Sequence, residues 1–343
     1  MPNPVITKAI DKLMSRRDLS VEESSAVLAE IMDGAASEVQ SAAFLIALRT
    51  KGETVDELIG LARTMRALAV AVPTSRGDLL DTAGTGGGPS TFNISTAAAL
   101  VAAGAGCAVA KHGNRSATGR SGSADVLEAL GARIDLGPDA VAACIDECGF
   151  GFMFAPQHHQ AMRHVVPVRK ELGVRTIFNF LGPLTNPAGA TRQLLGVSDR
   201  RYQETIAEAL VGLGCERALV VSADDGLDEI SIGDRTRVIE VADGRTEEWF
   251  VEAEELGLTP APLEAVAGGE PADNAALVGD VLAGKQGPAR DVVVANAAAA
   301  LVAAGAAADL AEGVERAQAS LDLGEAHDVL NQLVALTTTL SEG

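Results

Sequence analysis

Leu79-Leu80-Asp81-Thr82-Ala83-Gly84-Thr85-Gly86-Gly87-Gly88, followed closely by Thr91-Phe92-Asn93-Ile94-Ser95-Thr96, decides how this chain is read. Two leucines open a short apolar strand, the glycines make a tight turn, and a helix begins over Asn93 to Thr96. Glycine lets a backbone turn sharply with its N–H groups bare, and a helix N-terminus adds further unpaired donors with partial positive charge. Strand, glycine turn and helix start together form a cradle for phosphate. A second apolar strand, Cys107 to Ala110, leads into the polar cluster Lys111-His112-Gly113-Asn114-Arg115. Two anion-friendly loops at neighbouring strand ends point to a phosphorylated sugar held at the carboxyl edge of a parallel sheet.

Outward from that stretch the chain alternates strand and helix. The expected strands are Leu79–Thr82, Cys107–Lys111, Phe150–Phe154, Gln193–Val197, Ala218–Ser222 and Val238–Val241. Helices are expected between them, among them Asp125–Leu130 and Asp139–Glu147. This rhythm predicts an α/β fold whose large domain has a mostly parallel central sheet flanked by helices. Residues 1–71 read differently, as helices throughout. Ser20-Val21-Glu22-Glu23 and Thr54-Val55-Asp56-Glu57 are capping boxes, each before a helix-period apolar stripe, and Gly34 and Gly52 are expected helix stops. The α/β rhythm breaks again between Arg169 and Pro187, where the chain is expected to revisit the helical part. The expected division is therefore a small all-α domain of residues 1–72 with about 170–188, and a large domain of 73–169 and 189–343. The tail from Val292 is expected to be helical, interrupted at Gly313 and Gly324.

The bulk figures narrow the function. A formal charge of −20 with only 3% aromatic residues argues against binding nucleic acid, whose backbone is held by basic patches and whose bases stack on aromatic rings. It leaves room for a local cationic pocket, and Lys111, Arg115 and Arg120 lie close together in sequence. Cys144 and Cys148 are one helical turn apart, but no second Cys or His pair stands at zinc spacing. The four cysteines, with Cys107 and Cys215, read as small buried thiols in a reducing compartment. Met1 to Leu13 lacks a signal-peptide core, and the alanine-rich runs are too short or too polar to span a bilayer, so a cytoplasmic protein with no membrane partner is expected.

The motifs become specific when taken in order. Gly84-Thr85-Gly86-Gly87, Asn93-Ile94-Ser95-Thr96, Lys111-His112-Gly113-Asn114-Arg115, Ser121 to Glu128, Ala155-Pro156-Gln157-His158-His159, Val168 to Thr176, Asn179 to Pro187 and Asp228-Glu229 follow one another along the chain. In this the chain resembles the anthranilate phosphoribosyltransferases over nearly its whole length. The resemblance implies a small helical and a larger α/β domain with the active site at their hinge, and a homodimer joined through the small domain. It implies transfer of the phosphoribosyl group of 5-phosphoribosyl 1-pyrophosphate to anthranilate in tryptophan biosynthesis. The pyrimidine nucleoside phosphorylases, similar in fold, carry a different block where this chain has Ser121 to Glu128.

By the same resemblance, Gly84, Thr85, Gly86, Gly87, Asn93, Ser95 and Thr96 hold the pyrophosphate, with Lys111 and Ser123 positioning phosphates. Gly84, His112, Asn114, His159, Arg169 and Pro183 form the anthranilate site. Arg169 is the candidate for the anthranilate carboxylate, since guanidinium presents a planar fork of donors. Asp228 and Glu229, with Ser95, are the expected Mg²⁺ site; this hard ion takes a few carboxylates together with phosphate oxygens and water. Thr96 is not assigned to the metal. The amine of anthranilate is already unprotonated near neutral pH, so no residue is assigned as a general base, and Lys111 and Arg169 are expected to act by positioning. One departure stands out: many relatives have Asp directly after the Gly-Thr-Gly-Gly run, where this chain has Gly88, which leaves the number of metal ions open.

Overall fold

The computed structural model describes residues 1–116 and 119–341. Four helices come first, α1 (Pro4–Met14), α2 (Val21–Met32), α3 (Glu38–Lys51) and α4 (Val55–Leu68). The expected capping box at Ser20 with Glu23 forms in full, whereas at Thr54 only the return bond forms, Thr54 N–H donating to Glu57 Oε2 at 2.9 Å while the Thr54 hydroxyl has no partner among the described residues. Gly34 and Gly52 sit at φ 76° and 94°, where a side chain would be strained, and end α2 and α3 as expected.

The α/β part then runs β1 (Leu79–Gly84), α5 (Ile94–Gly104), β2 (Ala108–Gly113), α6 (Ser123–Ala129), α7 (Pro138–Cys148), β3 (Phe150–Phe154). Three short helices follow, α8 (Ala155–His158), α9 (Val166–Leu172) and α10 (Phe178–Leu181), before β4 (Arg192–Gly196), α11 (Gln203–Gly212), β5 (Arg217–Ala223), β6 (Thr236–Ala242) and β7 (Arg245–Val251). Four helices close the chain: α12 (Pro271–Leu282), α13 (Pro288–Ala303), α14 (Leu310–Asp322) and α15 (Glu325–Ser341).

The sheet order is β3-β2-β1-β4-β5-β6-β7, parallel from β3 through β5 and antiparallel from β5 to β7. From β1 the chain winds outward through β2 to β3, then crosses back to β4 on the other side of β1. That reversal opens a crevice beyond the carboxyl ends of β1 and β4, the place where parallel α/β sheets bind ligands. Strands β1, β2, β4 and β5 are buried almost throughout, as strands covered on both faces must be.

Two apolar cores flank the sheet. One packs α5, α13 and their neighbours around β1 to β3. The other is shared by α1 to α4, by Val165, Val168 and the run Ile177 to Leu184, and by α11 with Leu195, Val197, Ala218 and Val220 of the sheet. The Arg169–Pro187 stretch thus buries its aromatic residues, Phe178 and Phe180, against the helical bundle.

Two expectations need correction. Strand β7 is not among the expected strands: Arg245 to Phe250 is mostly exposed at the sheet edge and carries no buried alternate face to announce it. It returns from β6 through Asp243 and Gly244, both at positive φ (52° and 71°), as a tight hairpin requires. Gly313 does not interrupt the tail. It lies inside α14 and is buried, with room for no side chain, since a Cβ there would sit 2.8 Å from Ala298 O. The break falls between α13 and α14 instead, at Gly305 (φ 71°) and the N-cap Asp309, and again at Gly324 as expected.

Candidate active site

The crevice beyond β1 and β4 opens into a cavity of about 1200 Å³. Its floor is the glycine loop. Thr85 N–H donates to Gly196 O at 2.9 Å, continuing the β1–β4 ladder by one residue, and Gly86 and Gly87 then turn at φ 62° and 84°. The first turn of α5 lies alongside, bringing Asn93 and Ser95 to the wall. From the end of β2 come Lys111, His112, Asn114 and, beyond the turn, Ser123; Gly113 has no room for a side chain because a Cβ would sit 2.1 Å from Ser123 Oγ. The opposite wall is built from the second core's border: His159, Arg169, Arg175, Phe178 and Pro183.

Asp228 and Glu229 reach the cavity from the loop after β5. Of the four carboxylates in Asp224 to Glu229, two hold the loop itself. Asp224 pairs with Arg200 and Arg235, and Asp225 accepts from Leu227 N–H and Ser231 Oγ. The other two face inward. Asp228 Oδ2 accepts from Gly86 N–H at 2.9 Å, and burial raises its pKa. Burial and the neighbouring Asp228 carboxylate raise that of Glu229, against the pull of Lys111 and a hydrogen bond from Ser95 N–H. Gly196 permits this approach, because a Cβ there would lie 1.7 Å from Asp228 O. Two adjacent half-buried carboxylates, with no arginine or lysine bound to them among the described residues, fit a divalent cation shared with phosphate oxygens.

Lys111 is 2% exposed and its Nζ donates to Thr82 O at 2.6 Å, to Thr82 Oγ1 at 3.1 Å and to Ser95 Oγ at 3.3 Å. Burial lowers its pKa, while Asp81 and Glu229 favour its charge. Asp81, fully buried, is raised to about 6 by desolvation and accepts from His112 N–H and Asn186 Nδ2. Asn186 also donates to Ala110 O, so this buried network fixes the β2 terminus against the segment that carries Pro183.

The wall opposite the glycine loop sets arginines beside two uncharged histidines. His112 and His159 are buried with ring centroids 5.1 Å apart, and burial lowers their pKa values to about 3 and 4. Both Nε2 atoms lack a hydrogen-bond partner among the described residues. Arg169 lies 5.4 Å over the Phe178 ring, and its guanidinium makes no hydrogen bond or salt bridge among the described residues. Its planar donor fork is open to an anionic ligand.

Residues 7–69 match the glycosyl transferase family helical bundle domain, and residues 76–327 the glycosyl transferase family a/b domain. An anthranilate phosphoribosyltransferase of Anaeromyxobacter dehalogenans is 53% identical over 335 residues, spanning 97% of this chain and 99% of its own length. The chain belongs to the anthranilate phosphoribosyltransferase family. A family structure from Thermus thermophilus superposes with a TM-score of 0.91 at 48% identity, covering 96% of this chain and 99% of that one. The anthranilate phosphoribosyltransferase of Saccharomyces cerevisiae in complex with PRPP and Mg reaches 0.89 at 27% identity, covering 97% and 98%.

Against the family motifs, fifteen of the site residues expected from sequence come to one cavity: Gly84, Thr85, Gly86, Gly87, Asn93, Ser95, Lys111, His112, Asn114, Ser123, His159, Arg169, Pro183, Asp228 and Glu229. Thr96 does not. It is 1% exposed, and its buried hydroxyl has no hydrogen-bond partner among the described residues, because the first turn of α5 points it into the core. Asn93 lines the cavity, yet its amide is already engaged by Ser121 and Asn274. Arg115 is neutralised by Asp125 and Glu128, which leaves Arg120 as the cavity cation of that loop with no ion pair among the described residues. Sequence reading missed Ser198 and the site role open to Arg175. Arg175 follows the helix-ending Gly173, and no helical periodicity ties it to Arg169.

Proposed function

We infer that this chain transfers the 5-phosphoribosyl group from 5-phosphoribosyl 1-pyrophosphate to the amine of anthranilate, giving N-(5-phosphoribosyl)anthranilate and pyrophosphate, a step of tryptophan biosynthesis. The observation that carries this reading is the pairing, across one cavity, of a phosphate cradle with an arginine, Arg169, that has no hydrogen-bond or ion-pair partner among the described residues and lies beside Phe178, His159 and Pro183. The glycine loop, Ser95, Lys111 and Ser123 take the phosphates. Arg169 takes the anthranilate carboxylate, with His112, Asn114, His159 and Pro183 around the ring. Mg²⁺ bound by Asp228 and Glu229, with Ser95 beside them, would neutralise charge on the departing pyrophosphate as its bond to C1 breaks. The two histidines are held neutral and weakly basic, so the amine attacks without a strong base. Catalysis then rests on positioning and on stabilising the leaving group and an oxocarbenium-like ribosyl carbon.

The small domain is proposed to comprise residues 1–72 with about 170–188, which is supported by the burial of Phe178, Phe180, Leu181 and Leu184 in the bundle's core. A homodimer through this domain is proposed as well. The exposed Val39 and Ile46, two turns apart on α3, support it, and light scattering giving a monomer would remove it. No helix among the described residues is long and apolar enough to cross a membrane, and a cytoplasmic location is proposed on the basis of the metabolic role.

The reaction is tested by following anthranilate fluorescence after adding phosphoribosyl pyrophosphate with and without Mg²⁺. The expected signal loss requires both additions and disappears in Asp228→Ala/Glu229→Ala. Folded wild-type protein that leaves the fluorescence unchanged, yet cleaves uridine or thymidine with inorganic phosphate, would replace this reading with nucleoside phosphorolysis.

A further inference from the structure

The glycine loop is gripped from its carbonyl side. Arg175 Nη1 donates to Gly86 O at 2.6 Å and Nη2 to Thr85 O at 3.2 Å. Ser198 Oγ donates to the same Gly86 O at 2.7 Å, and Ser198 N–H donates to Thr85 Oγ1 at 3.2 Å. A trans peptide holds its C=O and N–H pointing in opposite directions. Fixing the Thr85 carbonyl on Arg175 therefore turns Gly86 N–H the other way, where Asp228 Oδ2 receives it. Fixing the Gly86 carbonyl turns Gly87 N–H away from the guanidinium. The N–H groups of Gly87 and Gly88 have no acceptor among the described residues, and both glycines line the cavity. The contact is intimate: a Cβ on Gly87 would lie 1.6 Å from Arg175 Nη1.

We propose that Arg175 is a positioning residue for the phosphorylated substrate, holding two consecutive peptide units of the glycine loop so that Gly86 N–H stays on Asp228 and Gly87 N–H is aimed into the cavity before the phosphates arrive. This rests on the phosphoribosyl transfer proposed above. A glycine-rich loop has much backbone freedom to lose on binding, and prior anchoring removes that cost from the binding step. Guanidinium suits the task because its rigid fork reaches two carbonyl oxygens at once and stays charged. Arg175 stands just before Ile177 and Phe178, which are packed in the bundle's core, whereas the loop belongs to the sheet. The aim of the phosphate cradle is thereby tied to the side of the cavity that takes the acceptor. Ser198 acts at the same carbonyl as Arg175.

The test compares Arg175→Ala, Arg175→Lys and Ser198→Ala with wild type, by steady-state kinetics for both substrates and by calorimetric binding of inorganic pyrophosphate with Mg²⁺. The expected result for Arg175→Ala is a rise on the order of tenfold in KM for phosphoribosyl pyrophosphate, with matching weakening of pyrophosphate and an unchanged KM for anthranilate. Ser198→Ala is expected to show the same pattern at a few-fold, and Arg175→Lys to fall between them. Unchanged pyrophosphate binding in Arg175→Ala and Ser198→Ala overturns the proposal. So does weakening in Arg175→Ala with none in Ser198→Ala, which would make Arg175 a direct phosphate ligand. If Arg175→Ala does not fold, Ser198→Ala and Arg175→Lys decide by the same criteria. A wild type that binds pyrophosphate but does not consume anthranilate would remove the reaction and leave the loop-positioning comparison standing.

Discussion

Replacing Arg169 by alanine should separate binding from stability in a way few active-site changes do. The guanidinium is half-buried, makes no hydrogen bond or salt bridge among the described residues, and has burial alone lowering its pKa. In the free protein its removal takes away an uncompensated cation, so the loss is the contact with the Phe178 ring and the packing of its stem, together about 1 kcal/mol. For a chain of this size that is a shift of roughly 2 °C in Tm. In the complex its removal takes away hydrogen bonds to a carboxylate, each contributing about 1.5–3 kcal/mol. A net loss of roughly 3 kcal/mol raises KM for anthranilate about 150-fold. Arg169→Lys keeps the charge without the fork and should recover part of the loss. Fluorescence progress curves at saturating phosphoribosyl pyrophosphate, with a thermal melt of each protein, give both numbers. An anthranilate KM within about threefold of wild type would show that Arg169 does not hold the carboxylate. A large fall in Tm would show that the arginine is a structural cation after all.

Acid should unfold this protein earlier than its carboxylates alone would require. His112 and His159, lowered to about 3 and 4, stay neutral in the folded state while the unfolded chain protonates them below its ordinary value of 6.5. Stability from these groups is complete above pH 6.5 and is lost as pH falls toward 4, by about 2 kcal/mol for each at pH 5. His112→Gln/His159→Gln should therefore lose less Tm between pH 7 and 5 than wild type, and an equal loss would mean the rings are solvated. Gly88→Asp should alter the Mg²⁺ dependence of the rate. A Cβ at Gly88 would lie 3.1 Å from Asp228 Oδ1 and 2.9 Å from Gly226 O, so the new carboxylate enters the proposed metal site with a small shift of that loop. Identical magnesium profiles for the two proteins would sink this.

Much of the architecture was legible because it is written in local terms. Strand–glycine–helix succession needs only neighbouring residues, and so do the capping box at Ser20, the helix start at Thr54 and the buried runs of β1, β2, β4 and β5. All the site residues taken from the motif order except Thr96 line the cavity. What escaped has a common cause. Strand β7 is an exposed edge with no apolar alternation, and Gly313 is a packing glycine that looks like a breaker until Ala298 is placed against it. Thr96 and Ser95 are neighbours in sequence, yet one helical step of about 100° sends one hydroxyl to the core and the other to the cavity. The acidic loop offers four carboxylates, and only the positions of Arg200, Arg235, Leu227 and Ser231 show which two are used up.

By itself the sequence determined the fold class and, through the order of its motifs, the family, since propensity, capping and motif spacing act along the chain. The tertiary structure alone decided that Lys111 is buried on Thr82 and Ser95 beside the Asp81–Asn186 pair, that Arg169 is left without a hydrogen-bond or ion-pair partner among the described residues, and that Arg175 grips Thr85 and Gly86. Those facts depend on desolvation and on contacts between residues as much as 105 positions apart. No local pattern encodes them, because burial and partner choice are set only when the sheet's two faces are covered.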